Sequence, residues 1–94
     1  MAKYEMLYLL KSDATEEVKA AEIEKYENIV KSMNGAVVST DKWGTKKLAY
    51  PIKFKTEADY VLMTFEADAA VLKEIERVIN IDSEVLRFIV TKLN

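Results

Sequence analysis

What most constrains the fold of this chain is the order in which two hydrophobic periods replace one another. Tyr4-Glu5-Met6-Leu7-Tyr8-Leu9-Leu10 is apolar at nearly every position, the pattern of a central strand covered on both faces. Over residues 12–33 the spacing changes to threes and fours, so that Ile23, Tyr26, Ile29, Val30 and Met33 share one stripe of an amphipathic helix. That helix is capped either by Asp13, with Glu16 three residues on completing a capping box, or by Thr15. Asn34-Gly35 stops it, Gly35 being free to take the left-handed conformation that closes a helix. Strand character returns at Ala36-Val37-Val38, breaks at Trp43-Gly44, where the glycine reads as a bulge or bend, and resumes through Leu48-Ala49-Tyr50 to Pro51-Ile52. The proline argues for an edge strand. Residues 60–67 form a third strand, and the short polar link over 55–59 makes the pair an antiparallel hairpin. Asp68 caps a second helix with Val71, Leu72, Ile75, Val78 and Ile79 as its buried stripe, and residues 85–93 form the last strand.

Strand, helix, strand, strand, helix, strand is the split βαβ order. It predicts an α+β, ferredoxin-like sandwich (βαββαβ) in one domain spanning residues 1–94, with a four-stranded antiparallel sheet and both helices on one face. The first and third strands are expected at the centre. Period-two alternation then sends Met6, Tyr8, Leu10, Val61, Met63, Phe65, Phe88 and Val90 toward the helices. Leu7, Leu9, Tyr60, Leu62, Arg87 and Ile89 fall on the uncovered face. An apolar patch of that extent on a soluble domain marks an interaction surface, so Leu7, Leu9, Tyr60, Leu62 and Ile89 are expected to meet a protein partner or a second copy.

Composition removes most catalytic classes. The chain has no cysteine and no histidine, which excludes disulfide scaffolds, thiolate or imidazole metal sites and histidine-based triads. With only Gly35 and Gly44 there is no phosphate-cradling loop or dinucleotide fingerprint. The acidic pairs Glu16/Glu17 and Glu22/Glu24 do not converge at their helical spacing, and an acylphosphatase-like site lacks its loop arginine, since Arg77 and Arg87 lie in regular elements. No enzyme activity, cofactor, metal or small-molecule substrate is therefore expected. No apolar run approaches a membrane span and the start carries no export signal, which predicts a soluble, cytoplasmic protein without a membrane partner.

The net charge of -2 averages two unlike regions. Over residues 13–27, Asp13, Glu16, Glu17, Glu22, Glu24 and Glu27 outnumber Lys19 and Lys25, whereas over residues 41–55 Lys42, Lys46, Lys47, Lys53 and Lys55 oppose only Asp41. The stretch Trp43-Gly44-Thr45-Lys46-Lys47-Leu48-Ala49-Tyr50-Pro51-Ile52-Lys53 joins lysines to two surface-capable aromatic rings, a combination suited to an anionic partner. The glycine-rich signature of an RNA recognition motif is missing from the third strand, so RNA is expected along the lysine-rich edge and the strand ends, through Lys3, Trp43, Lys46, Lys47, Tyr50, Arg87 and Lys92.

Gly44-Thr45-Lys46-Lys47-Leu48-Ala49-Tyr50-Pro51-Ile52-Lys53, with Tyr4-Glu5, Trp43, Tyr60-Val61-Leu62-Met63, Leu86-Arg87 and Lys92, resembles the bacterial small-subunit ribosomal protein S6 family over essentially the whole chain. The resemblance implies a structural constituent of the small (30S) ribosomal subunit that binds the central domain of 16S rRNA cooperatively with ribosomal protein S18. The alternative from the fold alone is a self-associating or small-ligand regulatory domain that uses the apolar face and leaves the lysines idle.

Overall fold

The computed structural model describes residues 1–93. Its elements are β1 (Ala2–Lys11), α1 (Glu16–Ser32), β2 (Ala36–Ile52), β3 (Lys55–Ala67), α2 (Ala69–Asn80) and β4 (Val85–Lys92). The strands form one antiparallel sheet in the order β2-β3-β1-β4, the expected ferredoxin-like arrangement with β1 and β3 at the centre. Met6, Tyr8, Leu10, Val61, Met63 and Phe65 point to one side and pack with Ile23, Tyr26 and Val30 of α1 and Val71, Ile75 and Ile79 of α2. Phe88 and Val90 join this core half-buried. Both helices therefore cover one face, as the alternation requires. No helix among the described residues is long and apolar enough to cross a membrane.

Several local expectations are corrected. Thr15, not Asp13, caps α1, accepting from the Val18 amide at 3.2 Å. Asp13 instead accepts from Lys55 Nζ at 2.7 Å across to β3, and that bond draws its carboxyl below the usual carboxylate range. Asp68 holds the cap position of α2 without a side-chain bond. At the end of α1 it is Asn34 that takes the left-handed conformation, with φ 67°. The Asn34 and Gly35 amides return to the carbonyls of Lys31 and Val30 in a Schellman closure. Gly35 is required for space: a Cβ there would lie 2.8 Å from the Glu66 carbonyl oxygen and 2.8 Å from Val30 Cγ1.

The hairpin also differs from its sequence reading. Residues 55–59 are not a link but the start of β3, because Lys46, Lys47 and Ile52 pair with Ala58, Glu57 and Lys55. β2 runs on through Trp43-Gly44, absorbing them as a register shift between Lys42 and Gly44, with Gly44 at φ 83°. A larger shift follows, since Lys47 pairs with Glu57 and the next pair is Ile52 with Lys55. Leu48-Ala49-Tyr50-Pro51 has only Thr56 opposite it and swings out of the ladder. Pro51 is tolerated there because no ladder bond asks for its missing amide hydrogen.

Candidate nucleic-acid and partner interface

The excursion at residues 48–51 turns back over the sheet face that carries no helix. Leu48 and Ile52 pack on a second apolar cluster of Leu9, Ala58 and Leu86, with Leu7 and Tyr60 at its margin. Strict alternation from Phe88 would send Leu86 toward the helices. The β4 register shifts by one opposite Leu9 and Leu10, which pair with Arg87 and Val85, so Leu86 is the extra residue and joins Arg87 on the helix-free side. Leu9 is thereby buried, and its expected role as a partner contact is corrected: the chain covers it with its own hairpin.

What remains open is a shallow groove of about 280 Å³ between the excursion and the sheet, lined by Leu7, Leu48, Tyr50, Tyr60, Arg87 and Ile89 among others. Its floor follows from the register. Leu62, Leu7 and Ile89 are cross-strand neighbours in one row, and Tyr60, Leu9 and Arg87 form the next. Ile89 is 52% exposed, while Leu7, Tyr60 and Leu62 are half-buried. Beyond Leu62 the same face turns polar, through Thr64, Glu5 and Thr91.

Of the residues expected at RNA, the structure gathers four on this face. The Trp43 ring stacks on Tyr60 with centroids 6.2 Å apart and planes 12° off parallel. Lys46 Nζ stands 5.9 Å from the Trp43 centroid, a cation over an aromatic face. Arg87 Nη1 donates to the Tyr50 hydroxyl at 2.7 Å. Trp43 and Tyr50 remain about half exposed, so their rings are presented rather than consumed by the fold. Tyr60, assigned to the protein partner, lies under Trp43 and connects the two sets.

The other three fall elsewhere. Lys47 pairs with Glu57 and, alternating with Lys46, points to the reverse side of the hairpin. Lys3 lies across from Glu66 at the opposite end of β1 from Lys11, the residue level with Lys46, roughly 26 Å away at the strand rise. Lys92 is level with Tyr4 and shares the helix-side parity of Val90. The expected set thus divides into a compact group near the hairpin and a distant pair at the start of β1 and the end of β4. Sequence reading missed Leu48, Ile52 and Leu86 as core residues, although Pro51 before Ile52 was a visible sign that the ladder breaks there.

The charge contrast is also partly resolved within the molecule. Lys55 is held by Asp13, and the buried Lys19 of α1 pairs with Asp59 of β3 at 2.9 Å while Thr45 donates to the same carboxylate at 2.6 Å. That neighbour holds the Lys19 ammonium above its usual range. These bonds tie the acidic helix to the hairpin's helix side and leave the cationic character of the hairpin to Lys42, Lys46, Lys47 and Lys53.

Comparison with known proteins bears on the fold and the family. The family model described as ribosomal protein S6 matches residues 3–92. The small ribosomal subunit protein bS6 of Caldanaerobacter subterraneus is 40% identical over 92 residues, which cover 98% of this chain and 97% of that protein. That of Clostridioides difficile is 42% identical over 90 residues, covering 96% and 97%. The crystal structure of 30S ribosomal protein S6 from Thermotoga maritima superposes with a TM-score of 0.91 at 25% identity, covering 97% of this chain and 86% of that one.

Proposed function

This chain belongs to the ribosomal protein S6 family, and from that premise we propose that it is a constituent of the small ribosomal subunit that binds the central domain of 16S rRNA together with ribosomal protein S18. The family is one of structural ribosomal proteins and not of enzymes. The observation that carries the finer reading is the continuity of the helix-free face: the cation-bearing Trp43–Tyr60 stack leads directly into the apolar groove beside Arg87.

RNA phosphates meet Lys46 and Arg87 while Trp43 and Tyr50 offer ring faces to unstacked bases. S18 takes the apolar row of Leu62, Leu7 and Ile89 together with Tyr60 of the next row. Lys3, Lys47 and Lys92 serve as outlying phosphate contacts, each on its own side of the sheet. Because both ligands touch Tyr60 and Arg87 or their immediate neighbours, each completes part of the surface the other binds, and association is cooperative in both directions. The action is positional: a rigid sheet holds an RNA junction, and no bond is made or broken.

The test is binding of the purified chain to a central-domain rRNA fragment across a salt series, with and without S18. Tight binding in the presence of S18 that weakens steeply with salt supports the reading. No binding in either arm, with self-association on a sizing column, would replace it with the regulatory alternative.

A further inference from the structure

The turn between β2 and β3 carries a feature that the helix-free face does not use. Ile52 pairs with Lys55, so Lys53 and Phe54 alone close the hairpin, with φ of 50° and 66°. Two successive left-handed residues define the tight turn that follows strand twist, and Asn-Gly or Asp-Gly normally supply it. Here a lysine and a phenylalanine adopt it. An aromatic residue in that region is a steric outlier, and such conformations persist where they serve a site. Phe54 gains nothing from burial in return, being fully exposed at 101%, the most exposed large apolar side chain among those described.

The surroundings of the ring are cationic. Lys53 adjoins it, and Lys46 and Lys47 lie exposed in the same hairpin arm. Over residues 42–58 the only carboxylate is Glu57, which lies opposite Lys47 in the ladder. A protein hot spot sits in a well-packed, desolvated pocket, whereas this ring is fully exposed between Lys53 and Lys55 at the turn. We propose that Phe54 is an RNA-contacting residue, its ring held outward by the strained turn as a stacking surface for an unpaired base, with Lys53 meeting the adjoining phosphate. This rests on the RNA-binding reading above. Stacking of this kind is tolerant of base identity, so the tip positions the hairpin and does not select a sequence.

The experiment measures affinity for a central-domain rRNA fragment at saturating S18, across a salt series, for the wild type and for Phe54→Ala, Phe54→Trp, Phe54→Gly and Lys53→Ala. Phe54→Ala is expected to weaken binding roughly ten- to hundred-fold at every salt concentration with an unchanged slope, since stacking releases no counterions. Phe54→Trp should retain affinity, and Lys53→Ala should flatten the slope by about one contact. Phe54→Gly relieves the turn, so it should melt a few degrees higher, by roughly the range typical of glycine at a left-handed position, and still bind poorly. A weakened yet more stable variant separates lost contact from lost folding. Wild-type affinity in Phe54→Ala and Phe54→Gly overturns the proposal and leaves the RNA reading standing, whereas failure of the wild type to bind removes both. Weakened S18 binding by Phe54→Ala in the absence of RNA would reassign the ring to the protein partner and likewise overturn it.

Discussion

Arg87 Nη1 donates a 2.7 Å hydrogen bond to the Tyr50 hydroxyl, joining strands that occupy opposite edges of the sheet. The contact exists because residues 48–51 leave the β2 ladder and cross back over β3 and β1. It ties the excursion to the sheet at its far side, while Leu48 and Ile52 hold it by packing.

Removing that hydroxyl with Tyr50→Phe deletes the bond and leaves the ring. Both partners are exposed, so stability should fall by no more than about 1 kcal/mol in urea unfolding. Local freedom should change more. Amide exchange over residues 48–52 is expected to accelerate relative to β1, and unchanged exchange there would mean that Leu48 and Ile52 alone fix the excursion.

Lys46 and Lys47 are neighbours in sequence and opposites in space. Lys46 stands over Trp43 on the helix-free face, whereas Lys47 points behind the hairpin. In a salt series against rRNA, Lys46→Ala should flatten the slope by about one contact, and Lys47→Ala, an outlying contact behind the hairpin, should flatten it by clearly less. Equal effects of the two variants would show that RNA wraps the edge of the hairpin and does not lie on one face.

Leu9 and Leu62 make a second contrast. Alternation places both on the helix-free face, yet Leu9 is buried under Leu48, Ile52 and Leu86 while Leu62 stays half-buried at the polar margin. Leu9→Ala should cost roughly 2–4 kcal/mol of folding stability, the range for a buried leucine left as a cavity. Leu62→Glu should fold with a small loss and weaken S18 association. Global unfolding of Leu62→Glu, followed by circular dichroism, would place Leu62 in the core and reject the assigned row.

These pairs show which physics was legible in the chain. Element order and the inward set of β1 and β3 follow from local periodicity, because side-chain direction in a strand depends only on the neighbouring residues. Leu9 was read to the correct face and the wrong environment, since what covers it comes from some forty residues away along the chain through a break in register. Leu86 escaped for the same reason, an extra residue in β4 opposite Leu9 and Leu10. The true turn at Lys53-Phe54 was invisible because neither residue favours a turn, and the polar run after it mimicked a loop. The distant siting of Lys3 and Lys92 depends on register between strands, which composition does not encode.

The last prediction concerns the buried carboxyl pair beneath α1. Lys25 Nζ bridges Glu22 at 3.1 Å and Asp82 at 2.8 Å, and the Tyr26 hydroxyl donates to Asp82 at 2.6 Å. Tyr8 of β1 faces the same cluster, its hydroxyl pushed above the usual range by burial and by the Glu27 and Glu22 charges. Burial, reinforced by hydrogen bonding to Asp82 and by its charge, raises Glu22 from 4.5 to about 7. Asp82 moves the opposite way, held low by its bonds from Glu22, Lys25 and Tyr26 against its own desolvation. Between about pH 4.5 and 7 the folded chain therefore keeps a proton on Glu22 that the unfolded chain has released. Stability from this group is complete below the unfolded value, falls as pH rises, and levels off above about 7. Asp82 contributes the reverse limb, losing its stabilisation only in strong acid. Glu22→Gln keeps a donor toward Asp82 without an ionisable proton. The variant should lose the decline between pH 5 and 7 and exceed the wild type at pH 8 by roughly 1–3 kcal/mol in urea unfolding. An identical decline in wild type and variant would assign the titration to a different group and leave Glu22 ionised in its buried site.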